Sequence, residues 1–236
     1  MTLSLPIVNR KSPIANRIIA LMLLDQQRSK LDNTDDAMFY EMPRFVTHVD
    51  ENFIQQLTDL YRERLKPNSC IFDMMSSWVS HLPDDIKFDR VEGHGLNATE
   101  LAKNPRLDSY FVQNFNQNPK LPFPDAVFDA VLNAVSVQYL QYPEAVFTEI
   151  CRILKPGGMA IISFSNRMFY QKAIQAWRDD TEANRLELVK RYFKNVPGFL
   201  EPEVIVRPSS IPPILQMMGI PGSDPFYAAI GTKLLQ

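Results

Sequence analysis

The chain has 236 residues, 45% of them hydrophobic and 22% charged, with a formal net charge of −2. That length suits one α/β domain with an extension and buries a sizeable core, while the near-neutral balance excludes a broadly basic, phosphate-tracking surface. Cys70 and Cys151 stand in separate apolar stretches with no CxxC pair, and His48, His81 and His94 have no metal-ligand spacing, so two free thiols and no metal site are expected.

The apolar run 18–24 follows Arg10, Lys11 and Arg17, the outline of a signal peptide. It then meets Asp25, Gln26 and Arg28 with no small-residue cleavage site, and it is too short to span a bilayer. The run therefore reads as one face of a helix over 13–28 in a cytoplasmic protein with no membrane partner. Residues 29–36 are polar and read as a loop, and 38–45 form an aromatic-rich linker. Asp50 is placed to cap a second helix, with Phe53, Ile54, Leu57, Leu60 and Tyr61 on one face.

After Lys66-Pro67-Asn68 the pattern becomes strands alternating with helices. Strands are expected over 70–74, 88–92, 110–112, 128–132 and 159–164. A short helix is expected over 97–103. A longer one opens at Pro143 and stops at Lys155-Pro156-Gly157-Gly158, where Pro and Gly cannot continue it. Helices over 171–177 and 182–193 and strands over 203–206 and 226–232 complete the chain. Continuous apolar strands between amphipathic helices imply a parallel sheet covered on both faces. The expected organisation is a helical extension or lid over 1–66 and an α/β domain over 67–236.

The stretch Leu121-Pro122-Phe123-Pro124-Asp125, then Phe128-Asp129-Ala130-Val131, Pro143-Glu144, and Glu149 through Arg152 to Leu154-Lys155-Pro156-Gly157-Gly158 resembles the type 11 methyltransferase domain. The likeness covers about residues 70–165, and the LKPGG end is its most specific piece. It implies the Rossmann-like class I S-adenosylmethionine-dependent methyltransferase fold: a mostly parallel seven-stranded sheet with helices on both faces and an N-terminal helical extension. It also implies S-adenosyl-L-methionine as cofactor and methyl transfer to a small-molecule acceptor, while the charge balance gives no sign of a nucleic-acid partner and the histidine and cysteine spacing none of a metal. Neither the acceptor nor the oligomeric state follows from it.

In that family the first strand ends in an acid followed by GxGxG, whose glycines let the backbone approach the cofactor. Asp73 matches the acid, but Met75, Ser77 and Val79 stand where the glycines belong. The carboxylate that takes the ribose hydroxyls after the second strand falls on Gly95, with Asn97 two residues on as an uncharged substitute. The acid after the third strand becomes Asn114 or Asn116, and Asn133-Ala134 opens the loop after the fourth. Two readings follow. Either Ser76 and Ser77, with Gly93 and Gly95 on the neighbouring strand, rebuild the cofactor loop, or the fold persists as a catalytically inactive binding or assembly module. Ser76 and Ser77 are equally readable as helix N-caps, Trp78 as packing or a stacking platform, and His81 and His94 as surface residues or a general base. The linker with Tyr40, Arg44 and His48 is a candidate lid. Met168, Phe169, Tyr170 and the segment 211–215 are candidates for an acceptor wall or for plain packing.

Overall fold

A computed structural model describes residues 22–209, 218 and 222–235. Two short helices, α1 (Asp25–Arg28) and α2 (Asp36–Phe39), lead to α3 (Glu51–Arg64). The sheet and its helices follow as β1 (Cys70–Asp73), β2 (Arg90–Gly95), α4 (Ala98–Leu101), β3 (Ser109–Val112), β4 (Phe128–Ala134), α5 (Pro143–Ile153), β5 (Leu154–Phe164), α6 (Gln175–Arg178), α7 (Glu182–Lys194), β6 (Glu203–Arg207) and β7 (Phe226–Thr232). Strand order is β3-β2-β1-β4-β5-β7-β6. The first five strands in this order pair in parallel, and β7 and β6 add antiparallel.

Alternation along the central strands builds two cores. Phe72, Val131 and Ile162 face one layer with Phe147 and Ile150 of α5 and Val189 and Phe193 of α7. Ile71, Leu132 and Ile161 face the other, with Phe53, Leu57, Leu60 and Tyr61 of α3. The Asp50 carboxylate caps α3 by accepting from the Phe53 N–H at 2.8 Å. The seven-stranded, mostly parallel sheet covered on both faces is as the sequence implied.

Several local expectations change. β2 runs to Gly95 because Gly93, His94 and Gly95 pair with Tyr110, Phe111 and Val112 of β3. The helix after Pro143 stops at Ile153, and Lys155-Pro156-Gly157-Gly158 is part of β5. Register jumps there from the Phe128–Leu154 pair to Ala130–Met159, so a bulge absorbs the proline, which has no N–H for the ladder. The helix expected over 171–177 is reduced to the single turn of α6. No helix lies between β1 and β2, so the N-cap reading of Ser76 and Ser77 is overturned. Of the helix expected over 13–28, residues 22–28 are described and hold only α1, while 13–21 and the segment 211–215 lie outside the described residues. Among the described residues no helix is long and apolar enough to cross a membrane.

Candidate functional site

Where strand order reverses at β1, the carboxyl ends of β1, β2, β3 and β4 open into a cavity of about 280 Å³, the usual ligand position in such sheets. Its floor comes from Asp73, residues 75–81, 94–97 and 113–116 and the loop after β4. Its roof comes from Tyr40, Arg44 and residues 46–49, together with Arg167, Met168 and Phe169.

The loop after β1 does without glycine by using side-chain hydrogen bonds. Met75 holds φ = 56°, the left-handed conformation that glycine usually serves. Its N–H donates to His94 Nδ1 at 3.1 Å, and the Ser76 N–H donates to the His94 carbonyl at 2.6 Å. Ser76 Oγ donates to the Asp73 carboxylate at 2.6 Å, and Asn104 Nδ2 donates to the Ser77 carbonyl at 3.0 Å and to Ser80 Oγ at 2.8 Å. Asp73 is 4% exposed. Burial pushes its carboxyl up from 3.8 to about 6, against the opposing pull of the Ser76 and Ser80 hydroxyls.

His94 is fully engaged. With Nδ1 accepting, its Nε2–H donates to the Gln113 carbonyl at 2.7 Å, and the ring stacks on Phe115 at 3.8 Å. Burial pushes its pKa down to about 4, so it is a neutral fastener of the loop and not a general base. His81 and His48 also line the cavity, and burial lowers the pKa of each. His48 packs edge-on against Phe169 at 5.0 Å.

The β2 end explains Gly95. A Cβ there would stand 2.6 Å from the Ser76 carbonyl oxygen, so the loop after β1 occupies the room that any side chain at this strand tip would need. Asn97 lines the cavity, but its amide is spent otherwise. Its Oδ1 caps α4 by accepting from the Glu100 N–H at 3.0 Å, and its Nδ2 donates to the Tyr40 and Glu41 carbonyls at 2.7 and 3.0 Å. Asn114 and Asn116 also line the cavity while donating to Asp35 at 3.1 Å and Asp36 at 2.8 Å. These amides, expected to meet a cofactor, fasten the N-terminal segment. Ala134 is in the wall. Gly93 and Asn133 lie behind it: a Cβ on Gly93 would strike Leu107 at 2.3 Å, and fully buried Asn133 donates to the Met74 carbonyl at 3.3 Å.

The N-terminal segment is tied to the body by the buried pair Arg28–Glu144 at 2.7 Å and by buried Lys172 to half-buried Asp32 at 3.1 Å, and the buried pair Lys30–Asp36 at 2.7 Å braces the segment itself. Arg44 lies over Phe39 at 4.5 Å and Phe169 at 5.5 Å. Trp78 turns to the roof, donating from Nε1 to the Val46 carbonyl at 3.2 Å and meeting Phe45 edge-on, which leaves the cavity open. Tyr170 is 57% exposed and outside the wall that Met168 and Phe169 form.

Sequence reasoning missed Glu100. It is 7% exposed, lines the cavity, accepts from the Arg44 N–H at 2.7 Å with Oε1 and from Ser77 Oγ at 2.7 Å with Oε2. The signal was present, since Asn97-x-x-Glu100 has the spacing of a helix capping box and fixes Glu100 in the first turn of α4.

Residues 86–162, about a third of the chain, match the family model described as Methyltransferase domain. The ubiquinone/menaquinone biosynthesis C-methyltransferase of Chromobacterium violaceum is 47% identical over 47 residues, 20% of this chain and 19% of that protein. The fatty-acid O-methyltransferase of Mycolicibacterium smegmatis is 35% identical over 89 residues, 28% of this chain and 32% of that protein. The chain thus spans no more than about a third of the length of these curated relatives. The geranyl diphosphate C-methyltransferase of Streptomyces coelicolor A3(2), solved with Mg2+, geranyl diphosphate and S-adenosyl-L-homocysteine, superposes with a TM-score of 0.54 at 14% identity, over 84% of this chain and 97% of that one.

Proposed function

We propose, from the methyltransferase domain and the class I methyltransferase fold that this chain carries, that it transfers a methyl group from S-adenosylmethionine to a small-molecule acceptor. The observation that carries this reading is the open cavity beside buried Asp73 at the sheet's switch point.

The donor set fits the cofactor. Asp73 offers a carboxylate to the cofactor's ammonium, the loop 75–77 offers a backbone held in a left-handed turn, and Leu96 and Phe115 give an apolar slot for a nucleobase. The bound cofactor would supply a sulfonium methyl group, which an acceptor nucleophile would take in line as the methyl–sulfur bond breaks, leaving S-adenosylhomocysteine. The chain contributes positioning and exclusion of water: roof residues 46–49 close over the loop, and Tyr40, Tyr139, Met168 and Phe169 present an apolar, aromatic wall to the acceptor. An acceptor hydroxyl that gives up its proton has His48 and His81 at hand, both kept neutral by burial. A catalytically inactive binding module is the weaker reading, because it expects Met75 or Trp78 to fill the cavity, whereas Trp78 packs on Val46 and Phe45.

The test is transfer of labelled methyl from S-adenosylmethionine into a protein-free extract of small molecules. We expect label in an organic-soluble product with the native chain and not with Asp73→Ala. Incorporation equal in the two would contradict the proposal.

A further inference from the structure

We propose that Glu100, delivered from the first turn of α4, is the carboxylate that accepts hydrogen bonds from the cofactor's ribose diol, and that the same carboxylate latches the roof. The inference rests on the cofactor reading above and names a residue for it at a position no strand-tip pattern indicates.

Three observations converge. First, the strand-tip position is closed, because any side chain on Gly95 would meet the Ser76 carbonyl at 2.6 Å. Second, Glu100 Oε2 touches Ser77 Oγ at 2.7 Å, which brings the carboxylate back to the loop after β1, on the cavity wall. Third, the carboxylate is under-used: an ionised carboxylate has about four acceptor directions. The Arg44 N–H and Ser77 Oγ take two, and no ion pair involves Glu100 among the described residues. A vicinal diol is a matched ligand for a buried carboxylate with two acceptor sites left, since it supplies two O–H donors and needs no charge.

The contact to the Arg44 N–H gives the assignment a consequence. Arg44 belongs to the roof, and Asn97, at the cap of the same helix, holds the Tyr40 and Glu41 carbonyls. Helix α4 therefore joins the diol site to the segment that covers it. A diol seated on Glu100 orders the carboxylate that holds Arg44, so cofactor binding tightens the roof.

The experiment compares S-adenosylhomocysteine with its 2′,3′-dideoxyribose analogue by calorimetry, on the native chain, Glu100→Gln and Glu100→Asp. The native chain is expected to prefer the diol by about ten- to hundredfold, the range for one or two hydrogen bonds to a charged group. Glu100→Gln and Glu100→Asp should each weaken S-adenosylhomocysteine by about tenfold or more and leave the dideoxy analogue nearly unchanged. Roof residues 40–49 should gain amide-exchange protection with the diol ligand and less with the dideoxy one. Equal affinity of the native chain for the two ligands, or equal losses for both in the variants, overturns the assignment. Absence of S-adenosylhomocysteine binding to the native chain overturns the cofactor reading itself.

Discussion

Replacing Asp73 with asparagine should stabilise the ligand-free protein at alkaline pH. Burial raises this carboxyl from 3.8 to about 6, so the folded state holds its proton more tightly than the unfolded chain does. Between those two pH values the folded state is richer in protons, and stability falls as pH rises through the window. Above about pH 6 the full cost is present: two pH units correspond to about 3 kcal/mol. Asparagine removes the charge but gives up an acceptor for the Ser76 and Ser80 hydroxyls, a loss of about 1 kcal/mol. The net gain at pH 8 is about 1–2 kcal/mol, or about 2–8 °C in Tm for a chain of this length. At pH 4 the carboxyl is protonated in the folded state and a little under half protonated in the unfolded one, so less than about 1 kcal/mol of the cost is left, and the advantage should vanish or reverse. Urea unfolding of the two proteins at pH 8 and pH 4 measures this directly. A variant less stable than the native chain at pH 8, or a difference that does not change with pH, would show that burial of the Asp73 charge carries no such cost. The cost is one a binding site carries until an ammonium group arrives.

Three further outcomes follow from the same geometry. If Asp73 meets the cofactor's ammonium, S-adenosylhomocysteine affinity should fall by up to about tenfold per pH unit below about pH 6, the range in which Asp73 takes up its proton, as calorimetry across pH 5–8 would show. Gly95→Ala should destabilise the fold and weaken S-adenosylhomocysteine binding, because its Cβ meets a backbone carbonyl at 2.6 Å. Lys172→Ala should lower stability in urea unfolding, since it removes a buried ammonium that pairs with Asp32 at 3.1 Å and Asp36 at 3.5 Å and donates to the Thr34 carbonyl at 2.8 Å, although Lys30 still pairs with Asp36.

How much of this was legible in the sequence depended on the distance over which each signal acts. Hydrophobic period and caps are local, so α3, β1, α5, α7 and β7 stand close to where the sequence put them, with Asp50 as cap. The LKPGG segment misled because its proline and glycines end a helix and also make a bulged strand start, and only the pairing with β4 decides between them. At the site, the roles of Asn97, Asn114 and Asn116 depended on an N-terminal segment about 60 to 80 residues away, which spends their amides on Tyr40, Asp35 and Asp36. His94 looked available because its two partners come from the loop after β1 and the end of β3. Gly95 looked like a lost carboxylate because the Ser76 carbonyl that excludes one is invisible in a linear pattern.

The cofactor site stands or falls on calorimetric titration of the native chain with S-adenosylhomocysteine. One site per chain with micromolar or tighter affinity is expected, lost on Asp73→Ala. An absence of heat, together with an unchanged melting temperature at saturating ligand, would contradict it and leave the cavity to a different occupant.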